Sequence, residues 1–275
     1  MGGAAVMRIG IVAPSCRIND AIRDGVTALA SQRAELVWHP QCWASAGHFA
    51  GPDAARAAAF LEMANDPAID AVWFARGGYG AARIVDQAMA GLAPAAARKT
   101  YLGYSDAGTL LAALYARGIG EVAHGPMPAD VRRADGAAAV RRALDWLVDR
   151  APDAVEGSAD PGPRAAFNIV ILAHLIGTPH LPDLGGHVLM IEEVSEYLYR
   201  TDRDLAQIMA AVRGLAGIRL GRVSDVPDND PDFGMTVEEV VRFWCARAGV
   251  PFLGSADIGH DAANKVVPFG AAAAR

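Results

Sequence analysis

The amino-acid sequence predicts an α/β protein: a doubly wound, mostly parallel sheet followed by a second, smaller α/β domain. Three observations carry this reading. Short apolar runs alternate with stretches of helical spacing over the first 130 residues. Several of those runs stop at glycine or proline. A stretch rich in Pro, Gly, Ser and Asp, residues 151–165, then separates this series from another of the same kind.

MRIGIVAP (7–14) reads as a first strand ended by Pro14, and DAIRDGVTALASQ (20–32) as a helix. AELVWHP (34–40) is a second strand, and DAARAAAFLEMAND (53–66) a helix opened by Pro52-Asp53. AIDAVWFARGG (68–78) is a third strand ending in two glycines, followed by the helical AARIVDQAMAGL. TYLGYS is a fourth strand, a helix follows Asp106, and EVAHGPM (121–127) is a fifth strand. GAAAVRRALDWLVDR (136–150) has amphipathic helical spacing, and 151–165 reads as linker. Beyond it come a helix-like AFNIVILAHLIG, the strand HVLMIEEV (187–194), and the helix TDRDLAQIMAAVRGL (201–215). A strand IRLGRVSDV, a helix TVEEVVRFWCARAG and a strand-like PFLGSADIGH (251–260) complete the series. The expected division is a flavodoxin-like N-terminal domain over 1–135, a connecting helix and linker over 136–160, and a C-terminal α/β domain over 161–275. Ligands of such sheets bind beyond the C-terminal strand ends, where Gly77-Gly78, Ser105 and His124-Gly125 fall.

Hydrophobic residues make up 52 % of the chain and charged ones 20 %, which allows a sizeable core and argues against global disorder. A net charge of −6 without basic runs argues against nucleic acid and anionic membranes as partners. Cys16, Cys42 and Cys245 are too far apart for a zinc pattern or a disulfide framework, so a reducing compartment fits. The N-terminus has no basic segment ahead of its apolar run, and IVILAHLI is too short to span a bilayer. A cytoplasmic enzyme acting on small molecules is expected.

Ser105, in Gly-Tyr-Ser-Asp, stands where a strand turns into a helix. Two readings are open. Serine is a favoured helix N-cap, although Gly108 at the third helical position gives no capping box. Alternatively Ser105 is a nucleophile on a tight turn. That chemistry needs a base, an acid to orient the base, and backbone N–H donors for the oxyanion. The N–H of Asp106 at a helix start suits the last task. The elbow pattern Gly-x-Ser-x-Gly is met only loosely, its second glycine coming one residue late in GYSDAG. Of seven histidines, His260 in a polar loop after a strand is the leading base, with His124 its rival. Glu192 and Glu193 close an apolar strand and must face opposite ways, so only one can serve the site. RGGYGAAR (76–83) lacks the full dinucleotide fingerprint, and its turn can instead aim an N–H at an oxyanion. There is no HExxH and no His/Asp cluster for a metal.

Taken together, IGIVAPSC, RGGYGAARIVD, LGYSDAGTLLAALYARG, HGPM, the Glu-rich stretch ending in YRTDR, and IGHDAANKVVPFG resemble the LD-carboxypeptidases, the murein tetrapeptide carboxypeptidase family of serine peptidases. The resemblance implies Ser105 as nucleophile, Glu192 as triad acid and His260 as base, meeting in a cleft between two domains. It implies an oxyanion hole built from the N–H of Asp106 and of Gly77 or Gly78. It also implies a homodimer, no cofactor, and a muropeptide or peptide substrate whose terminal D-alanine is released. A microcin-type self-immunity peptidase and a non-catalytic two-lobe binding protein are the alternatives. Arg76, beside the glycine turn, is a candidate for the substrate carboxylate. Family members carry Gly-Gly-Asn-Leu where this chain has Ala166-Phe167-Asn168-Ile169; the retained Asn168 is a candidate substrate contact, and Phe167 leaves fine specificity open.

Overall fold

The computed structural model describes residues 6–160 and 162–271. The first sheet is built from β1 (Met7–Val12), β2 (Ala34–Trp38), β3 (Ala71–Phe74), β4 (Thr100–Gly103) and β5 (Glu121–His124). Their order is β2-β1-β3-β4-β5, every pair parallel, which is the flavodoxin order expected. Helices α1 (Asp20–Ala30), α2 (Asp53–Asn65), α3 (Val85–Ala90) and α4 (Gly108–Ala116) are the crossovers, and α5 (Gly136–Asp149) follows. Strands β3 and β4 are buried along their whole length, as strands covered on both faces must be.

Ile22 and Val26 of α1 and Val140, Leu144 and Leu147 of α5 bury one face together with Ile9, Ile11 and Trp73. On the other face α4 is buried from Gly108 through Leu114. It lies between the first sheet and the second half of the chain, which explains why TLLAAL is apolar all round. Leu110 and Leu111 share one core with Phe167, Ile191 and Leu205 from that second half.

The second sheet holds β6 (Pro163–Asn168), β7 (Val188–Val194), β8 (Gly217–Ser224) and β9 (Phe252–Ser255) as parallel neighbours. Helices α6 (Ile169–Leu175), α7 (Leu198–Ala211) and α8 (Val237–Ala248) connect and cover them. β6 corrects the sequence reading, which split these residues between a linker and a helix. The apolar run from Ala165 to Ile176 is a strand and a helix with no loop between them. Asn168 marks the joint: its side chain accepts from the N–H of Ile171 and caps α6. The expected helix at 201 starts three residues earlier, at Leu198.

The tail departs most from expectation. β10 (Val267–Pro268) runs antiparallel to β5 at the edge of the first sheet, pairing Val267 with His124. β11 (Gly270–Ala271) runs antiparallel to β6, pairing Gly270 with Arg164. The chain end therefore pairs with an edge strand of each sheet. The last four residues, 272–275, lie outside the described ones.

Candidate active site

Three turns meet at the C-terminal edge of the first sheet: Pro14–Cys16 after β1, Arg76–Gly80 after β3, and Tyr104–Ala107 after β4. The strand order reverses between β1 and β3, which is where sheets of this kind open a crevice. Asp106 ties the three turns together. It is 2 % exposed, and its Oδ2 accepts from the Ser15 hydroxyl and, at 2.8 Å, from the Ala81 N–H. Burial raises its pKa, while those two hydrogen bonds pull the other way. Beneath them lies the fully buried Arg56, whose guanidinium binds the carbonyls of Pro14 and Gly80 and the Asp53 carboxylate. Sequence reasoning passed over Arg56 because the carbonyls it binds belong to two turns distant in the chain.

Ser105 has φ +57°, the left-handed region that a serine enters at a cost of about 1–2 kcal/mol. It is the first residue of a short 3₁₀ turn, Ser105–Ala107, that runs into α4. The turn has no side-chain cap, and the Ser105 hydroxyl has no hydrogen-bond partner among the described residues. Capping therefore does not account for this serine. Gly77 explains the glycine turn beside it: a Cβ there would lie 2.8 Å from both Cβ and Oγ of Ser105. The Gly77 and Gly78 N–H groups have no acceptor among the described residues.

The second sheet brings its own groups to the same place. Glu192 Oε2 lies 2.6 Å from His260 Nδ1, and both side chains are buried. A register shift between β7 and β8 falls at Glu192, the kind of irregularity that re-aims a side chain. At Gly221 of β8, a Cβ would meet the Ile258 carbonyl at 2.8 Å and the Glu192 Cβ at 3.0 Å. Only a glycine lets the strand and the His260 loop close on the glutamate. That loop is further fixed by the Arg222 guanidinium, which binds Asp257 at 2.6 Å and also Asp261. Burial pulls the His260 pKa down, but the Glu192 carboxylate outweighs it and the net shift is upward. The other ring nitrogen, Nε2, is buried without a partner.

Glu193 faces the opposite way. Its carboxylate accepts from Asn168 Nδ2 at 2.7 Å and from the N–H groups of Val170 and Val194, each at 2.9 Å. Burial still pushes its pKa up to about 7. Asn168 thus has both ends of its amide engaged in holding Glu193 and capping α6. Both of these contacts are internal to the fold. Phe167 is buried against Phe269, with ring centroids 5.1 Å apart, and fills core between the layers.

His124, the rival base, is buried and lies 3.3 Å from Asn264 Oδ1. Desolvation lowers its pKa to about 4, so it is neutral and spoken for. Tyr104 separates the two imidazoles, its ring 4.7 Å from that of His260 and 5.4 Å from that of His124. Its hydroxyl donates to the buried Asp130 at 2.7 Å.

Ser105, His260, Gly77, Gly78, Tyr104 and Arg76 all line one cavity of about 410 Å³. The structure thus brings the expected serine and histidine to a common space, with the glutamate behind the histidine. Arg132 and Arg133 also line it, and the sequence reading did not single them out. Among the described residues no group of three or more His, Cys, Asp or Glu side chains could hold a metal ion, and no helix is long and apolar enough to cross a membrane.

Comparison with known proteins now adds to this geometry. The chain is similar to the murein tetrapeptide carboxypeptidase of Pseudomonas aeruginosa, at 29 % identity over 74 % of this chain and 71 % of that protein. Among solved structures it is similar to muramoyltetrapeptide carboxypeptidase from Oxalobacter formigenes, with TM-score 0.80 and 25 % identity over 95 % of this chain and 93 % of that one. MccF in complex with glutamyl sulfamoyl guanosine shares the fold, with TM-score 0.78 and 15 % identity over 97 % and 92 % of the two chains. Models of the LD-carboxypeptidase N-terminal domain and LD-carboxypeptidase C-terminal domain match residues 9–125 and 162–274, and on that coverage the chain belongs to the LD-carboxypeptidase family.

Proposed function

We propose that the protein is a serine carboxypeptidase that releases the terminal D-alanine from muropeptide tetrapeptide stems, cutting an L,D bond in peptidoglycan recycling. The observation that carries this is His260: Glu192 holds its Nδ1 at 2.6 Å, and its Nε2 is left without a partner beside the cavity that Ser105 lines. In this reading His260 takes the Ser105 proton as the hydroxyl attacks the scissile carbonyl. Glu192 fixes the imidazole tautomer and stabilises its charge. The oxyanion is received by the N–H of Asp106, at the start of the turn leading into α4, and by that of Gly77 or Gly78. D-alanine leaves with the proton from His260, and water hydrolyses the acyl-enzyme by the reverse relay. Arg76 takes the free carboxylate of the leaving residue.

A peptidyl-nucleotide substrate would require an aromatic side chain free to stack a base. Tyr104 of the cavity lining is packed between His260 and His124, whereas Tyr79 on the glycine turn is 52 % exposed, so turnover of a tetrapeptide against a peptidyl-nucleotide separates the two readings. A purely ligand-binding role leaves the Glu192–His260 pair without a purpose. Mass spectrometry after treatment with a fluorophosphonate tests the assignment. The expected result is one adduct, on Ser105, absent from Ser105→Ala. A folded protein that stays unlabelled, or is labelled elsewhere, would overturn it.

A further inference from the structure

Arginines crowd the rim of the cavity in a chain whose net charge is −6. Arg76, Arg132 and Arg133 line it. Arg133 is neutralised by the buried Asp130, 2.9 Å from its Nε. Arg76 and Arg132 are different. Neither has a carboxylate within ion-pair distance among the described residues. Arg76 is half-buried, and its Nη1 is pinned at 3.1 Å to the Arg17 carbonyl, which fixes the guanidinium beside the glycine turn and leaves its other N–H groups free. Arg132 is exposed and closes the short 3₁₀ turn Pro128–Arg132, whose Asp130 is held by Tyr104, the ring that packs on His260. Both arginines also line a second, polar cavity of about 400 Å³, together with Arg17, Asn19, Asp20 and Trp43. Asp20, the one acid there, is paired with Arg23 at 3.2 Å. Two unneutralised guanidinium groups therefore stand in the partition between the cavity that Ser105 lines and its neighbour.

Guanidinium presents a planar fork of donors that matches a carboxylate in two-point contact. Two such forks without a counter-charge raise the local potential for an anion above that of the acidic surface around them. A peptide cut one residue from its end places its free carboxylate a few bonds beyond the attacked carbonyl. We propose that Arg76 and Arg132 form a two-armed clamp for that terminal carboxylate, which makes the cleft an exopeptidase site and restricts cleavage to the last residue. This deepens the peptidase reading and rests on it. Arg132 is the new element: it lies on the loop after β5, so the clamp closes only when the loops after β3 and β5 are both in place.

The test uses the full-length protein and two synthetic tetrapeptide stems, identical except that one ends in a carboxylate and the other in a carboxamide. kcat/KM is measured for each with the unaltered protein, Arg132→Ala, Arg132→Lys and Arg76→Ala. The unaltered protein is expected to prefer the acid by at least about tenfold, the range of a charged hydrogen bond. Both alanine variants should lose most of that preference through a higher KM for the acid. Arg132→Lys, which keeps the charge and loses the fork, should retain part of it. The clamp is wrong if the unaltered protein cleaves acid and amide equally well, or if the preference survives intact in either alanine variant. If the unaltered protein cleaves neither stem, the peptidase reading itself falls, and the clamp with it.

Discussion

At the C-terminal edge of the first sheet the site groups stand on strained, glycine-supported backbone, whereas at that of the second they stand on strand and loop and are aimed by side chains. Ser105 reaches the cavity because its φ is +57° and Gly77 leaves room for its Cβ. His260 reaches it because Glu192, buried behind it, holds its Nδ1 at 2.6 Å. The difference shows two ways to fix a reactive group. In the proposed mechanism the nucleophile must stay accessible, and Ser105 is positioned from below by backbone and by Asp106. A general base and its acid can be buried together, because each satisfies the other's charge. The second sheet also carries a control within one strand. Glu193, next to Glu192, has three hydrogen-bond donors, none of them a histidine, and supports α6 instead.

The largest expected effect tests the first edge. Ser105→Ala should cost on the order of 10⁶ in kcat on a D-alanine-terminated tetrapeptide. Retention of more than a few per cent of activity would remove Ser105 from the mechanism.

Next comes the contrast between the two glutamates. Glu192→Gln should lower kcat by about 10⁴, the scale for losing a triad acid. It should also move the acid limb of the kcat/KM profile. With Glu192 present that limb lies above pH 6.5, because the carboxylate raises the His260 pKa from its ordinary 6.5. Without it burial alone acts, and the limb should shift downward. An unmoved limb would mean that His260 is not the titrating base.

Glu193→Gln should instead change how stability depends on pH. The folded pKa of Glu193, about 7, lies above its ordinary 4.5, so its contribution favours folding below pH 4.5 and is lost as pH rises through 7. Thermal melts of the unaltered protein should therefore fall across that window, and those of Glu193→Gln should fall less. Equal slopes would show that Glu193 does not titrate there.

Gly77→Ala sharpens the backbone side of the comparison. Its Cβ would lie 2.8 Å from Ser105, too close to keep, and a resulting shift of about 1 Å costs about 10² in kcat. The melting temperature should move little, since Gly77 is not one of the positive-φ glycines. A large loss of stability with normal turnover would assign the glycine to folding alone. Tyr104→Phe is the mildest change. It removes one buried hydrogen bond to Asp130 and should cost about 1–3 kcal/mol of stability in denaturant melts, while the ring that packs on His260 remains. A thirtyfold fall in kcat there would give the hydroxyl a larger part than positioning.

The sequence carried the alternation of strand and helix, and with it the parallel first sheet and its order of elements. Local apolar periodicity and turn residues decide these, and both are written in neighbouring positions. It also named Ser105, Glu192 and His260 as a set, through motifs recognised together, and the structure brings Ser105 and His260 to one cavity with Glu192 bonded to His260. The choice between cap and nucleophile at Ser105, and between Glu192 and Glu193, could not be made from spacing. One depends on a φ angle forced by neighbouring turns, the other on which face of β7 meets a loop 68 residues away. The structural work of Asn168, capping α6 and holding Glu193, was not legible because a polar residue in a motif can serve a helix end as readily as a ligand. Arg56, Arg132 and the tail strand β10 escaped notice because their partners are distant in sequence: carbonyls of two other turns, a cavity wall, and the edge of the first sheet. What the sequence by itself determined was the repertoire of elements and the chemical types at their ends. Tertiary structure alone decided which of those ends share a cavity, because hydrogen bonds and ion pairs act over a few ångströms of space whatever the length of chain between them.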